Sequence, residues 1–145
     1  MSPDVAILAE KVAAVERHLK RVAEHLPATP EALLAMTDRS DAVILHLWQA
    51  VQIVIDMAVS ACVRLGLGSP ASYGEAFRKL ASAGLIDATL AERLTRAAGF
   101  RNVVAHAYES IDMTRVFRAA TQGAPDLRAF LAASANLAEK GSEQT

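Results

Sequence analysis

Ala42-Val43-Ile44-Leu45-His46-Leu47-Trp48-Gln49-Ala50-Val51-Gln52-Ile53-Val54-Ile55-Asp56-Met57-Ala58-Val59-Ser60-Ala61-Cys62-Val63 is apolar on almost every face of a helix. Such a helix exists only where several neighbours, or a second copy of the chain, cover it. It is also long enough to pass for a membrane span. His46, Gln49, Gln52, Asp56 and Ser60 interrupt it, however, and a single Asp at a membrane centre costs about 3 kcal/mol on insertion scales. The stretch is therefore expected as the central helix of a soluble, cytoplasmic protein, running from about Arg39 to Leu65 and stopped by Gly66 and Gly68. The first five residues carry neither a basic nor an apolar signal region, so no secretory leader is expected. Cys62 is the single cysteine, which excludes an internal disulfide and fits a reducing compartment.

The interruptions are ordered. His46, Gln49, Gln52, Asp56, Ser60 and Arg64 recur every three or four residues and form one polar stripe. It suits either the solvent edge of a mostly buried helix or one wall of a cleft containing Arg101 and His106, with Asp56 its most interesting member.

Upstream, Ser2, Pro3 and Asp4 form a helix start. Val5, Leu8, Val12, Val15, Leu19, Val22 and Leu26 then repeat at spacings of three and four, until Pro27 ends the helix. Thr29, Pro30 and Glu31 start a short second helix expected to reach about Met36. Downstream, Ser72 and Glu75 have the spacing of a reciprocal capping box, opening a short helix that Gly84 closes. Asp87 caps a helix carrying Leu90, Leu94, Ala98, Phe100 and Val103. Asp112 starts a helix to about Thr121, and Pro125 a last one to about Lys140. No repeat or linker divides the chain, so residues 1–140 are expected as one domain, with 141–145 a frayed tail.

Composition agrees with this pattern. The chain has 145 residues, 52% of them apolar and only 5% aromatic, and lacks strand-forming runs. The expected fold is all-α, an antiparallel bundle of about five to seven helices. The surplus of apolar surface points to self-association as a homodimer. A net charge of −1 excludes a global basic field, so any nucleic acid must be gripped by a local patch.

Candidate chemistry concentrates at the end of the Asp87 helix, in Arg101-Asn102-Val103-Val104-Ala105-His106-Ala107-Tyr108. A guanidinium holds phosphate oxygens through a planar fork of donors, and an imidazole moves protons near neutral pH. Arg101 and His106 are separated on an unbroken helix by about 7.5 Å along the axis and roughly 140° around it. They meet at one phosphate only if the helix loosens near Ala105, or if a dimer sets two copies of the motif across a shared cleft. Asn102 lies four residues before His106 and can orient its ring. Arg101 and Tyr108 share a face if the helix continues that far. No Asp, Glu and His cluster stands at metal spacing nearby, so no metal or other cofactor is expected. The accessible reaction is RNA cleavage through the substrate's own 2′-hydroxyl, which spares DNA.

Arg-Asn-x-x-x-His-x-Tyr at a helix end in a small all-α chain resembles the signature of the HEPN superfamily, in particular the HepT-like toxins of HepT–MntA toxin–antitoxin pairs. The likeness extends over Gly66 to Phe77, Leu80 to Ile86, Gly99-Phe100 and Ile111-Asp112. The resemblance implies that Arg101 and His106 are ribonuclease residues, with Asn102 in support. It implies that Tyr108 is the tyrosine which a cognate MntA-like nucleotidyltransferase antitoxin modifies with AMP. It also implies a homodimer with two motifs facing one cleft, an RNA substrate such as tRNA or mRNA, and no membrane. Ala107 departs from relatives that have a polar or acidic residue there; Glu109 or Asp56 would then have to support the imidazole.

Other residues have plainer uses. Trp48, Phe77, Phe100, Phe117 and Phe130 are expected as core or interface anchors. His18 and His25 are expected on the solvated face of the first helix, where Lys11, Arg17, Lys20 and Arg21 interleave with acidic residues. The second function compatible with the sequence is a non-catalytic helical partner of a nucleotidyltransferase, with the cleft binding a nucleotide.

Overall fold

The computed structural model describes the backbone of residues 3–143 and the side chains of residues 5–137. Six α-helices and no strand occur among the described residues: α1 (Pro3–His25), α2 (Asp38–Arg64), α3 (Tyr73–Ser82), α4 (Ala88–Ala107), α5 (Met113–Arg118) and α6 (Ala124–Glu143). The all-α bundle is as expected. α2 is its axis and packs against α1, α3, α4 and α6. Val43, Leu47, Val54, Ile55, Ala58 and Cys62 are at most 1% exposed. Length and composition alone would let α2 cross a membrane, yet half of its most apolar window is buried inside the protein, as in a core helix.

Local chemistry explains most of the boundaries. The α1 seam packs on α2, with Val15, Leu19 and Val22 buried and Leu8, Val12 and Leu26 partly so. Ser2, the expected cap of α1, lies outside the described residues. Gly66, Gly68 and Gly84 have positive φ, the left-handed geometry that terminates α2 and α3. Asp87 and Asp112 accept from the backbone N–H of Thr89 and Thr114 and so cap α4 and α5.

Other expectations are corrected. The short helix after Thr29 is a single 3₁₀ turn, Pro30–Ala32, because Leu33 is drawn into the core and Met36 takes a left-handed conformation to redirect the chain. The reciprocal capping box occurs at Thr37 and Ser40, where each side chain accepts from the other's backbone N–H. At α3 only half of a box forms. Ser72 accepts from Glu75 N, but the Glu75 carboxylate reaches one residue further back, to Ala71 N. Between α5 and α6 the chain does not break near Thr121; it passes through a π-helical turn, Ala119–Gly123. Pro125 has no N–H to give to a carbonyl four residues back, and the wider turn accommodates that loss. α6 runs to Glu143, past the expected end at Lys140, and residues 144 and 145 lie outside the described residues.

His18 is not on a solvated face. Its Nδ1 stands 3.0 Å from Nδ1 of His46, between α1 and α2, with the rings tilted by 36°. A hydrogen bond there requires one protonated and one bare Nδ1, so the pair excludes two imidazolium ions. Burial lowers the pKa of His18, helped by the charges of His46 and Arg17. Burial likewise lowers that of His46, helped by His25 and Arg21 and opposed by Glu24. Both folded-state values lie below the ordinary 6.5. The contribution of the pair to stability is therefore complete above that pH and is lost as pH falls through the folded-state values. The thermal midpoint is expected to fall between about pH 7 and pH 5, with a shallower slope in His18→Gln. An equal slope in both proteins would refute this coupling.

Candidate active site

α4 carries Arg101, Asn102 and His106, and its position depends on a missing side chain. A Cβ at residue 74 would stand 2.9 Å from Cγ2 of Thr95. Gly74 thus lets the start of α3 lie directly on α4, which brings the neighbouring Tyr73 ring under the Arg101 guanidinium, 5.5 Å from centroid to Cζ. From the other side, Arg101 Nε donates to Gln52 Oε1 on α2 at 2.8 Å. Gln52 Nε2 donates in turn to Asp56 Oδ1 at 3.0 Å. Among the described residues Asp56 makes no hydrogen bond or ion pair with Arg101 or His106. It fixes the Gln52 amide, so that the amide oxygen faces the guanidinium.

The polar stripe therefore divides. Gln52 and Asp56 belong to the Arg101 site, whereas His46 faces α1. Arg101 Nη1 also donates to Asn102 Oδ1, at 3.3 Å. Among the described residues Asn102 makes no hydrogen bond to His106, contrary to the expectation that it would orient the ring. The His106 ring is exposed, and none of the described side chains holds it. α4 stays helical through His106, so there is no loosening near Ala105. Arg101 and His106 remain about 140° apart around the axis.

The helix ends one residue later. Ala107 has φ −142° and ψ 32°, and Tyr108–Ser110 form a 3₁₀ turn. Tyr108 is thereby swung off the face of Arg101. Its hydroxyl donates to Asp41 Oδ1, in the first turn of α2, at 2.5 Å, while 39% of the residue remains exposed. That hydrogen bond is the main cause of a raised phenol pKa, with burial and the Asp41 charge adding to it. Sequence reasoning missed Tyr73 and Asp41 as members of the site and left Gln52 open, as one residue of a stripe that suited either solvent or a cleft with the Arg–His cluster. Gln52 had a visible signal, its place in the stripe.

A separate cavity of about 590 Å³ opens on another face of α4, between it, α5 and the start of α6. Its floor is apolar, including Leu47, Ala97 and Phe100, and Arg93, Arg96, Arg115 and Arg118 surround it.

Residues 15–134 match the HepT-like ribonuclease family. A protein of Archaeoglobus fulgidus whose name gives it an inferred RNase activity is 34% identical over 115 residues, 78% of this chain and 80% of that protein. The mRNA nuclease HepT of Shewanella oneidensis is 27% identical over 125 residues, 86% of this chain and 93% of that one. A solved structure of the tri-AMPylated Shewanella oneidensis HEPN toxin in complex with an MNT antitoxin superposes with a TM-score of 0.80 at 25% identity. It covers 92% of this chain and 97% of that one. Fold and motif together define a HEPN-type helical protein. The chain belongs to the HepT-like ribonuclease family.

Asp41 can be tested directly. A raised phenol pKa means that the neutral form is favoured by folding, a contribution complete below the ordinary value of 10.0 and lost as pH rises through the folded value. Asp41→Asn is expected to bring Tyr108 ionisation back toward the ordinary value in an ultraviolet difference titration, with Tyr73 assigned by a Tyr108→Phe control. An unchanged midpoint would show that Asp41 does not govern the phenol.

Proposed function

We propose that this chain is the toxin half of a type VII toxin–antitoxin pair. It is a homodimeric, metal-independent endoribonuclease of the cytoplasm, silenced when a cognate minimal nucleotidyltransferase attaches AMP to Tyr108. The observation that carries this reading is the way Arg101 is held. Gln52 and Tyr73 fix its Nε and its face, leaving Nη2 without a partner among the described residues and available to a phosphate oxygen.

The dimer supplies the convergence that one chain lacks. Leu45, Gln49, Gln52, Asp56, Val59 and Val63 follow one another on α2 at spacings of four and three, so they share one face. Leu45 and Val63 are 51% and 56% exposed on it. Pairing two copies along that face covers both apolar ends and brings two Arg101–His106 sets to a common cleft. In that cleft a 2′-hydroxyl of the RNA attacks the adjacent phosphorus while one His106 takes its proton. The bond to the 5′-oxygen breaks and the same His106, now an imidazolium, returns that proton to the leaving oxygen. Arg101 neutralises the charge growing on the phosphorane oxygens. The products are a 2′,3′-cyclic phosphate and a 5′-hydroxyl. DNA has no such hydroxyl and is left intact. Among the described residues no group of three His, Cys, Asp or Glu side chains could hold a metal ion, and both proton transfers are assigned to His106.

Tyr108 is the off-switch. Its oxygen attacks the α-phosphorus of ATP on the antitoxin, pyrophosphate leaves, and Asp41, which already accepts the phenol hydrogen bond, is placed to receive the proton. The attached phosphate then sets negative charge and bulk two residues from His106, which repels an RNA backbone. The AMPylated Shewanella oneidensis toxin supports this reading, as does the exposed phenol.

A non-catalytic partner of a nucleotidyltransferase is the competing function, favoured by the exposed His106 ring that no described side chain orients. Purified protein and RNA decide between them. Cleavage should persist in a metal chelator, yield cyclic phosphate ends, and fall by about two to four orders of magnitude in His106→Ala. Equal cleavage by wild type and His106→Ala would dismiss the ribonuclease site. Co-expression with a cognate minimal nucleotidyltransferase should add whole AMP units to the intact mass, absent in Tyr108→Phe; adducts that survive this substitution would place the modification elsewhere.

A further inference from the structure

The arginine-rimmed cavity is not part of the site described above. On α4, Arg93, Arg96, Ala97, Phe100 and Val103 share a face about 100° away from Arg101. On α2 its floor residues Leu47 and Val51 are buried and point away from the Leu45–Val63 face, so pairing along that face leaves the cavity open. α5 closes the opposite wall with Arg115 and Arg118, one helical turn apart.

The charge is unbalanced. Arg93 Nε is taken by Asp126 Oδ1 at 2.8 Å. Arg96, Arg115 and Arg118 have no carboxylate partner among the described residues, and all three are exposed. Three arginines held together by two facing helices repel one another and gain from an anion that accepts from several of them at once. An inorganic anion would have no use for the apolar floor beside them. Conversely, an apolar peptide would have no use for the arginines. A volume of about 590 Å³ lies in the range of small-molecule pockets, which are mostly apolar with a few convergent polar groups.

We infer that this cavity binds a nucleoside phosphate, with the base on the Leu47–Ala97–Phe100 floor and the phosphate between Arg96, Arg115 and Arg118. The ligand is either a free mononucleotide or one nucleotide of an RNA strand whose scissile bond lies at Arg101 and His106. In the second case the cavity is a subsite for the substrate of the proposed ribonuclease, and only that case rests on the functional reading above. Arg93 is held back by Asp126 and forms the wall.

Binding is measured in the His106→Ala background, which prevents cleavage, using AMP, ATP and a short fluorescent RNA as probes. Arg115→Ala/Arg118→Ala is expected to weaken the bound probe by about tenfold or more, and Arg115→Lys/Arg118→Lys to retain most of the affinity. Ala97→Trp, which fills the floor and leaves the charge unchanged, should weaken it comparably; circular dichroism and the thermal midpoint confirm that each variant is folded. Loss with AMP or ATP identifies a free-nucleotide site, and loss with RNA alone a strand subsite. The inference is overturned if no probe binds, if none is weakened by either change, or if only the arginine change has an effect, which would indicate general electrostatic attraction. Its failure would leave cleavage by the wild-type chain intact, so it is distinguishable from failure of the ribonuclease site.

Discussion

The hydrogen-bond ladder of α4 runs unbroken past Arg101 and His106 and ends only at Ala107. A regular helix fixes residues five apart about 140° around its axis. One chain therefore presents an arginine and a histidine that cannot both reach a single phosphate. Everything else about the site follows from this. The arginine needs support from outside its helix, which α2 and α3 provide through Gln52 and Tyr73. The histidine needs a complement that the described part of the chain does not contain. On the proposed reading activity depends on assembly, because the described part of one chain does not bring Arg101 and His106 together.

The end of α4 serves a second purpose. Because the helix stops at Ala107, Tyr108 is released from the register of Arg101 and pinned to Asp41 at the start of α2. The phenol remains accessible while staying two residues from His106. Had α4 continued through Tyr108, the tyrosine would lie over the arginine, and a modifying enzyme would have to enter the cleft to reach it. The break separates the group proposed to be modified from the groups proposed to react, yet keeps them close enough for a phosphate to be felt electrostatically.

Much of the fold was legible in the sequence, because the decisive signals are local. The periodicity of α1, the uniformly apolar α2, the glycines after it and the aspartate caps of α4 and α5 each act within a few residues of themselves. Failures arose where a distant contact overrode a local pattern. Burial of Leu33 cut short the second helix, and Glu75 passed over the expected box position for Ala71. Within the site, Arg101, Asn102 and His106 were visible as a cluster and Gln52 and Asp56 as members of a stripe, but the pairings that join them were not. Gln52 is 49 residues from Arg101 and Asp41 is 67 from Tyr108, and such pairings depend on how helices are docked. His18 likewise read as solvated until α1 was laid against His46. The arginine cavity escaped notice because its residues belong to two separate helices with no common motif.

Complementation between defective chains tests the composite site most directly. Chains carrying Arg101→Ala and His106→Ala, each with a different affinity tag, are co-expressed and the mixed dimer is isolated. If Arg101 of one copy acts with His106 of the other, the mixed dimer contains one intact set and should cleave RNA at about half the wild-type rate. Each variant alone should be slower by about a hundredfold or more. A mixed dimer as inactive as its parents would contradict the account, since it would place both residues of each site on the same chain.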